Sequence, residues 1–315
     1  MIKDEIPFDD IKLSVVVLFY HGERWIDSCV GSLEKQSLSR DAYEIILVDN
    51  GGSTPSIYNF KEFHNIKIIS SRLNLGFTEG NNRALEHTRG EIILLINQDV
   101  VVDFFCLEKV LNAFISHPEA GVIGASMLMA SEKDMGSTMT KPQYAGFYKL
   151  TRYGFARYCL RKPRNPIFPL DFVSGNGLGF RKGMLKDLNG YLFDARLFSY
   201  AEDLDFSLRI AQTPWKMYLH SGAIIHHFRD QAFAGHPGQR LRKLIRISSN
   251  RLLVYANRLN LKSFLKKLPL LVLGIPLKVG RLDGDAHFNF YKFVIAFLLI
   301  PLILLHFVLR IPLKK

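Results

Sequence analysis

Ile92-Ile93-Leu94-Leu95-Ile96-Asn97-Gln98-Asp99 is a short apolar run that ends in a carboxylate, and fifty residues before Asp99 a similar run, Ile45-Ile46-Leu47-Val48-Asp49, ends the same way. Apolar runs of this length, bounded by turn-forming residues, read as strands buried on both faces. In open α/β sheets, ligands bind outside the carboxyl ends of the strands. The two runs therefore place Asp49 and Asp99 on one rim of one crevice, where a nucleotide and its metal would go.

Outward from these runs, strand and helix patterns take turns. Leu13 to Phe19 reads as a strand, and Trp25, Cys29, Val30 and Leu33 follow at helical spacing. Strands are expected at 44–48, 66–70, 91–96 and 120–125, with one helix opened by Thr78 and another by Asp103 as N-cap. That alternation predicts a mostly parallel, doubly wound α/β sheet. The stretch 131–170 has no clean period and reads as a variable insertion or mobile loop. Regular structure resumes with a glycine-punctuated strand over Asp171–Phe180. A helix from Glu202 to Ala211 and two short strands, Lys216–His220 and Ala223–His227, come after it.

The chain has 315 residues, of which 48% are hydrophobic, which is enough for a large packed domain with an appendage. Its three cysteines, Cys29, Cys106 and Cys159, lie far apart with neither metal-ligand spacing nor a pairing pattern, as expected of inert packing thiols in a reducing compartment. The start, Met1 to Pro7, is polar and lacks the basic and apolar regions of a secretory signal, which predicts a cytoplasmic protein.

Charge is concentrated at one end. Residues 240–315 hold 15 Lys and Arg against Asp283 and Asp285 alone, a balance of +13 that exceeds the +12 of the whole chain. A nucleic-acid enzyme would carry basic residues around its cleft. A tail both basic and apolar points instead to an anionic membrane surface. Within it, Gln239–Asn260 is basic and helical, Phe264–Val279 is apolar around Pro269 and Pro276, and Phe293–Leu309 is apolar but interrupted by Pro301 and His306. Seventeen residues is the lower edge for a bilayer span, so the pattern favours an in-plane or re-entrant helix.

Several short constellations carry possible chemistry. Asp49-Asn50-Gly51 is a turn whose side chains can bond their own backbone, or it places the Asp49 carboxylate against the N–H edge of a pyrimidine. Asn74 to Asn82 combines Gly76 and Gly80 with three amides: a helix start, or a backbone that approaches a nucleotide closely where a Cβ would intrude. Asn97-Gln98-Asp99 is a solvated strand end, or a carboxylate poised to hold a divalent cation on a diphosphate. Glu202 and Asp203 open a helix, where acids stabilise the dipole; the same dipole suits a general base that takes a proton from a sugar hydroxyl. Asp205 is assigned to a structural pair with Arg209. His226 and His227 must point to opposite faces of their strand, so only one can face the cleft.

Taken in order, these motifs resemble family 2 glycosyltransferases of the GT-A fold, particularly the rhamnosyltransferase-like branch. The matching pieces are Val15–Tyr20, Asp49-Asn50-Gly51, Asn74–Phe77 with Asn81, Asn97-Gln98-Asp99, Ser174–Phe180, and Phe198–Asp205 with Arg209, which span roughly residues 13–230. The resemblance implies a GT-A catalytic domain over 1–238, with a nucleotide-binding half at about 13–125 and an acceptor half at about 170–230, followed by a membrane-associating helical tail over 239–315. It implies that Phe19 and Tyr20 flank the base, that Asp49 binds it, and that Asn74, Gly76, Asn81, Asn97 and Gln98 line the donor. By the same likeness Asp99 and His226 hold Mn2+ or Mg2+, Asp203 is the base with Glu202 beside it, and Gly175 and Asn176 lie on the acceptor side.

The family's metal motif is usually D-x-D, whereas Asn97 stands first here; an amide can still bond the ribose. The implied reaction moves a sugar, from dTDP-rhamnose first or a UDP-hexose second, to a polyprenyl-diphosphate-linked glycan at the cytoplasmic face of a membrane. A homo-oligomer is compatible with the sequence. The rivals are a nucleotidyltransferase, which would want a basic glycine-rich phosphate loop where Tyr20-His21-Gly22-Glu23 stands, and a non-catalytic membrane scaffold that has kept the fold.

Overall fold

The computed structural model describes residues 11–52, 59–60, 63–129, 145–161, 165–228, 237–279 and 290–310. Met1–Pro7, the segment 131–144, and Asp283 and Asp285 lie outside the described residues, as does the Cys159 side chain. The chain divides into two compact units, residues 1–148 with 158–229, and residues 149–157 with 230–315.

The first unit is built on a nine-stranded sheet. Its nucleotide half runs β1 (Leu13–Phe19), α1 (Glu23–Glu34), β2 (Tyr43–Asn50), β3 (Ile66–Ser71), α2 (Gly76–Ala84), β4 (Ile92–Asn97), β5 (Val100–Val102), α3 (Cys106–Ser116) and β6 (Ala120–Met129). Then come β7 (Ala145–Leu150), β8 (Ala156–Arg161), β9 (Ile167–Pro169), β10 (Leu178–Arg181), α4 (Glu202–Ile210) and β11 (Lys216–His227). The sheet order is β3-β2-β1-β4-β10-β6-β11-β5, with β9 also on β11, while β7 and β8 pair apart as a two-stranded sheet. It is parallel through β3, β2, β1 and β4; β10 lies antiparallel to both β4 and β6.

The two-residue period of the strands builds a core on each face. Val15, Val17 and Phe19 of β1, with Ile45 and Leu47 of β2, pack with Ile26, Cys29, Val30 and Leu33 of α1 and with Val110 and Phe114 of α3. Val16, Ile46, Val48, Ile93 and Leu95 belong to the other core, with Phe193 and with Phe206 and Ile210 of α4. Layers on both faces explain why β1, β2 and β4 read as unbroken apolar runs.

Four local expectations change. The stretch 131–170, read as a loop, contains β7, β8 and β9, whose mixed composition hid them. The two short strands at 216–227 are one, β11, whose pairing with β6 shifts register between His220 and Ile224. Thr78 does not open α2, which starts two residues earlier at Gly76. Asp103 stands ahead of α3, where its carboxylate accepts from the N–H of Phe105 at 3.3 Å.

In the second unit, α5 (Pro237–Arg258), α6 (Leu261–Val279), α7 (Phe290–Leu298) and α8 (Ile300–Val308) follow one another. The apolar run 293–309 is divided at Leu299, with Pro301 in the first turn of α8, where its missing N–H costs nothing. Among the described residues, no helix is long and apolar enough to cross a membrane. This unit has an apolar core that includes Leu252, Leu253, Phe264, Leu271, Ile303 and Phe307, and beside it an unusual polar cluster. Ser248, Ser249, Asn250 and Arg251 of α5 are buried, whereas Leu265, Leu273, Phe297, Leu298, Leu305 and Leu309 are exposed. Arg251 donates to the carbonyls of Tyr153 and Leu271 and lies 3.6 Å from the Phe155 ring centroid, and Ser249 meets His306 at 2.8 Å, whereas the Ser248 hydroxyl and Arg251 Nε are buried with no hydrogen-bond partner among the described residues.

Candidate active site

The carboxyl ends of β2 and β4 flank that of β1. Phe19 pairs with Asp49 on one side and Leu18 with Asn97 on the other, so Asp49 and Asn97 share a rim about 10 Å across, two strand spacings. Asp49 is buried and accepts from the Gly52 N–H at 3.2 Å, around a turn in which Gly51 takes a φ of +85°. Its neighbour Asn50 ties this end of β2 to the start of α2. The Asn50 amide donates to the carbonyl of Gly76 (3.1 Å) and to Asn74 Oδ1 (3.2 Å), and its oxygen accepts from the Leu75 N–H (3.0 Å). Asn74 Oδ1 also accepts from the Gly76 N–H at 2.8 Å, and Asn81 donates to the Phe77 carbonyl at 2.7 Å.

Three donor-side residues act otherwise than expected. Phe19 is fully buried in the core shared with α1 and α3, so its ring is withheld from a base, and half-buried Tyr20 is the aromatic residue at this end of β1. Gly76, at φ +76°, does leave room, but the space is taken by Phe198: a Cβ there would lie 2.4 Å from the Phe198 carbonyl oxygen. Gln98 spends its amide on Tyr20, accepting from the backbone N–H at 2.7 Å and donating to the carbonyl at 3.0 Å. It shapes the loop after β1.

Asp99 and His227 meet on the same rim. β5 leaves directly after Asp99 and runs antiparallel to β11, which sets His227 opposite Val100 and brings its Nε2 within 3.1 Å of Asp99 Oδ2. Alternation along the strand turns His226 to the other face, so His227 replaces it as the partner of Asp99. Cis ligands of an octahedral cation with bonds of about 2.1 Å lie about 3.0 Å apart, so this spacing fits a shared divalent ion. The His227 Nδ1 is buried with no hydrogen-bond partner, and the Asp99 backbone is held by the Phe228 N–H on its carbonyl at 2.9 Å. Among the described residues, no group of three or more His, Cys, Asp or Glu could hold a metal ion. The remaining ligands would come from diphosphate and water, and a carboxylate with an imidazole suits Mn2+ better than Mg2+.

The acids at the start of α4 stand on a strained turn. Phe198, Tyr200 and Ala201 all have left-handed backbones, with φ of 60°, 72° and 68°, each costing about 1 kcal/mol for a residue with a Cβ. The turn presents Glu202, buried, and Asp203, half-buried. The Asp203 carboxylate accepts from the N–H groups of Leu204, at 2.8 Å, and Gly175. Burial pushes its pKa up to about 6, opposed by those bonds. Glu202 is pushed up to about 8, by burial first and then by the Asp203 charge, and its Oε2 has no hydrogen-bond partner. Both carboxyl groups are thus held above the ordinary carboxylate range, and they titrate together as a pair. Asn176 joins this side to β4, accepting from the Asn97 N–H at 3.1 Å; beside it, the position a Gly175 Cβ would take lies 3.2 Å from the Phe77 ring and 3.7 Å from Glu202 Oε1.

Asp205 and Arg209 form a buried ion pair at 2.9 Å, and Arg209 also donates to the carbonyls of Leu188, Tyr191 and Leu192, as befits a structural pair. Cys29 and Cys106 are buried free thiols; burial pushes Cys29 up to about 12, which keeps it an inert thiol.

The model for glycosyl transferase family 2 matches residues 14–188. The chain belongs to this family. It is 24% identical over 243 residues to the N-acetylglucosaminyl-diphospho-decaprenol L-rhamnosyltransferase of Mycobacterium tuberculosis, over 68% of this chain and 76% of that one. It is 21% identical over 210 residues to the poly-β-1,6-N-acetyl-D-glucosamine synthase of Staphylococcus epidermidis, where the match covers 66% of this chain but only 46% of the synthase. Two solved structures share the fold. Staphylococcus aureus TarS 1–349 in complex with UDP-GlcNAc aligns with a TM-score of 0.55 at 17% identity, over 92% of this chain and 81% of that one. Mannosyltransferase PcManGT from Pyrobaculum calidifontis, in complex with GDP-Man and Mn2+, aligns at 0.57 and 16% identity, over 96% and 76%. The sheet is thus a GT-A-like mixed α/β fold, carried by a chain of glycosyl transferase family 2.

Proposed function

We infer that this glycosyltransferase inverts configuration, moving one sugar from a nucleoside-diphosphate donor to a polyprenyl-diphosphate-linked glycan at the cytoplasmic face of a membrane. The donor favoured is dTDP-rhamnose, with a UDP-hexose next. The observation that carries the chemistry is the Glu202–Asp203 pair, set by a strained turn at the start of α4 in the unit that also holds Asp99 and His227. Asp203, held ionised by its N–H donors, takes the proton of the acceptor hydroxyl as that oxygen bonds to the anomeric carbon and the bond to the diphosphate breaks. Asp99 and His227 would hold a divalent cation, which when bound neutralises charge on the leaving diphosphate.

Two observations support the acceptor. The mycobacterial relative's name joins rhamnosyl transfer to a decaprenol diphosphate. The second unit combines a basic excess with exposed Leu and Phe side chains, as expected of a body that meets an anionic lipid surface.

The test is a panel of donors offered with a polyprenyl-diphosphate-linked N-acetylglucosamine and Mn2+, with NMR of the product's anomeric configuration. Transfer from dTDP-rhamnose with inversion is expected. Retention of configuration, or absence of transfer from every nucleotide sugar, overturns the reading.

A further inference from the structure

The turn that carries the acids is strained. Three left-handed residues in four, Phe198, Tyr200 and Ala201, resist their own conformation. Bonds within the segment, such as the Phe198 N–H on the Ala195 carbonyl at 3.1 Å, help to hold it, and the first turn of α2 supports it from outside. The Phe198 carbonyl accepts from the Thr78 N–H at 3.1 Å and the Thr78 hydroxyl at 3.3 Å, and the Phe198 ring and carbonyl fill the place where Gly76 lacks a Cβ. One helical turn further, Asn82 grips the backbone of Phe193 in both directions, donating to its carbonyl at 2.8 Å and accepting from its N–H at 3.0 Å. The Phe77 ring packs on Phe193 with centroids 5.7 Å apart. The same first turn of α2 is also bonded to Asn50, the residue after Asp49.

We propose that Gly76 and Thr78 are positioning residues: the start of α2 clamps the Phe198 carbonyl and thereby aims Glu202 and Asp203, linking the seat of the donor base to the catalytic acids. A donor that settles against Asp49 and Asn50 braces the loop 74–76, and the clamp passes that order to the acid turn. This rests on the assignment of Asp203 as the base. It adds a role for two residues that touch neither the donor nor the proton in flight.

Thr78→Val removes the hydroxyl donor and keeps the shape, Thr78→Ser restores the donor, and Gly76→Ala drives a Cβ into Phe198. In the full chain, Thr78→Val is expected to lower kcat about five-fold, the worth of one hydrogen bond, with the Kd for dTDP or UDP in Mn2+ changed less than about two-fold. Thr78→Ser should restore kcat, and Gly76→Ala should cost about thirty-fold or more. The acidic limb of the pH–rate profile should move to lower pH in Thr78→Val, because a loosened turn admits water to the acids.

Unchanged kcat and an unchanged limb in Thr78→Val overturn the clamp. Equal damage in Val and Ser variants, with nucleotide binding lost, overturns it as well, since the residue would then serve folding alone. If Gly76→Ala fails to fold, the two Thr78 variants still decide. Asp203→Asn run beside them separates the two ideas: full turnover in that variant refutes the base assignment, whereas an inactive Asp203→Asn with an intact Thr78→Val refutes only the clamp.

Discussion

At the scale of single residues, the chemistry turns on what burial does to two carboxyl groups. Asp203 must be ionised to act as base, and its folded pKa is raised to about 6, so activity is expected to climb with pH through about 6 and not through the ordinary carboxylate range near 4. Asp203→Asn should lower kcat about 100-fold with donor binding nearly unchanged, and that acidic limb should vanish from the residual rate. The sequence offered both acids as helix-opening residues. Their raised proton affinities come from the packing of α4, which no local pattern encodes. The histidines show the same limit. Alternation said that one of the two must face the cleft, and the long-range pairing of β11 with β5 selected His227. His227→Ala should therefore weaken Mn2+-assisted binding of the nucleoside diphosphate about ten-fold, as removing a metal ligand or its support does. His226→Ala should weaken it much less, and calorimetry with and without Mn2+ reads the difference.

At the scale of elements, β1, β2 and β4 were legible because parallel strands covered on both faces are nearly continuous apolar runs, while the edge strand β3 showed only a short Ile-rich run. The helices α1 and α3 were legible for a related reason, as each buries one stripe at helical spacing. The glycines of α2 were legible as constraints but not as to their object. A missing Cβ shows that something comes close, and at Gly76 that is Phe198. Strands β7 to β9 escaped because short strands of mixed composition leave no periodic trace. The pair Asp205–Arg209 illustrates a local signal with a distant purpose. Four-residue spacing announced the ion pair, while the three carbonyls that Arg209 also binds fix the approach to the acid turn. Asp205→Ala would leave a buried guanidinium without its counter-charge, which costs about 3–5 kcal/mol. A fall of that size in unfolding free energy, measured by urea titration, is the expected result, and a change under about 1 kcal/mol would mean that the carbonyls alone satisfy the cation.

At the scale of the whole molecule, charge and polarity divide the chain into a near-neutral catalytic part and a tail with a balance of +13. The division was visible in composition. The packing of the tail was not, because it depends on which faces of α5 and α8 meet: Ser249 on His306 and Asn250 on Arg310 turn some polar groups inward beside the apolar core, while Leu298, Leu305 and Leu309 stay exposed. In water that arrangement is costly, since each exposed leucine forgoes about 2 kcal/mol of burial; against lipid it is favourable. Two forces with different salt responses should therefore act on vesicle binding. The attraction of Lys and Arg to anionic lipid is screened within about 10 Å at 0.1 M salt, whereas burial of apolar side chains is not screened. The full chain is accordingly expected to float with phosphatidylglycerol vesicles, to bind several-fold more weakly in 0.5 M NaCl, and to retain measurable binding there. Phe297→Ser with Leu298→Ser should remove the salt-resistant part and spare the screened part. If the protein stays monodisperse without detergent and ignores vesicles, the exposed leucines belong to an interface between copies of the chain, and the case for a lipid-linked acceptor falls back on the relative's name alone.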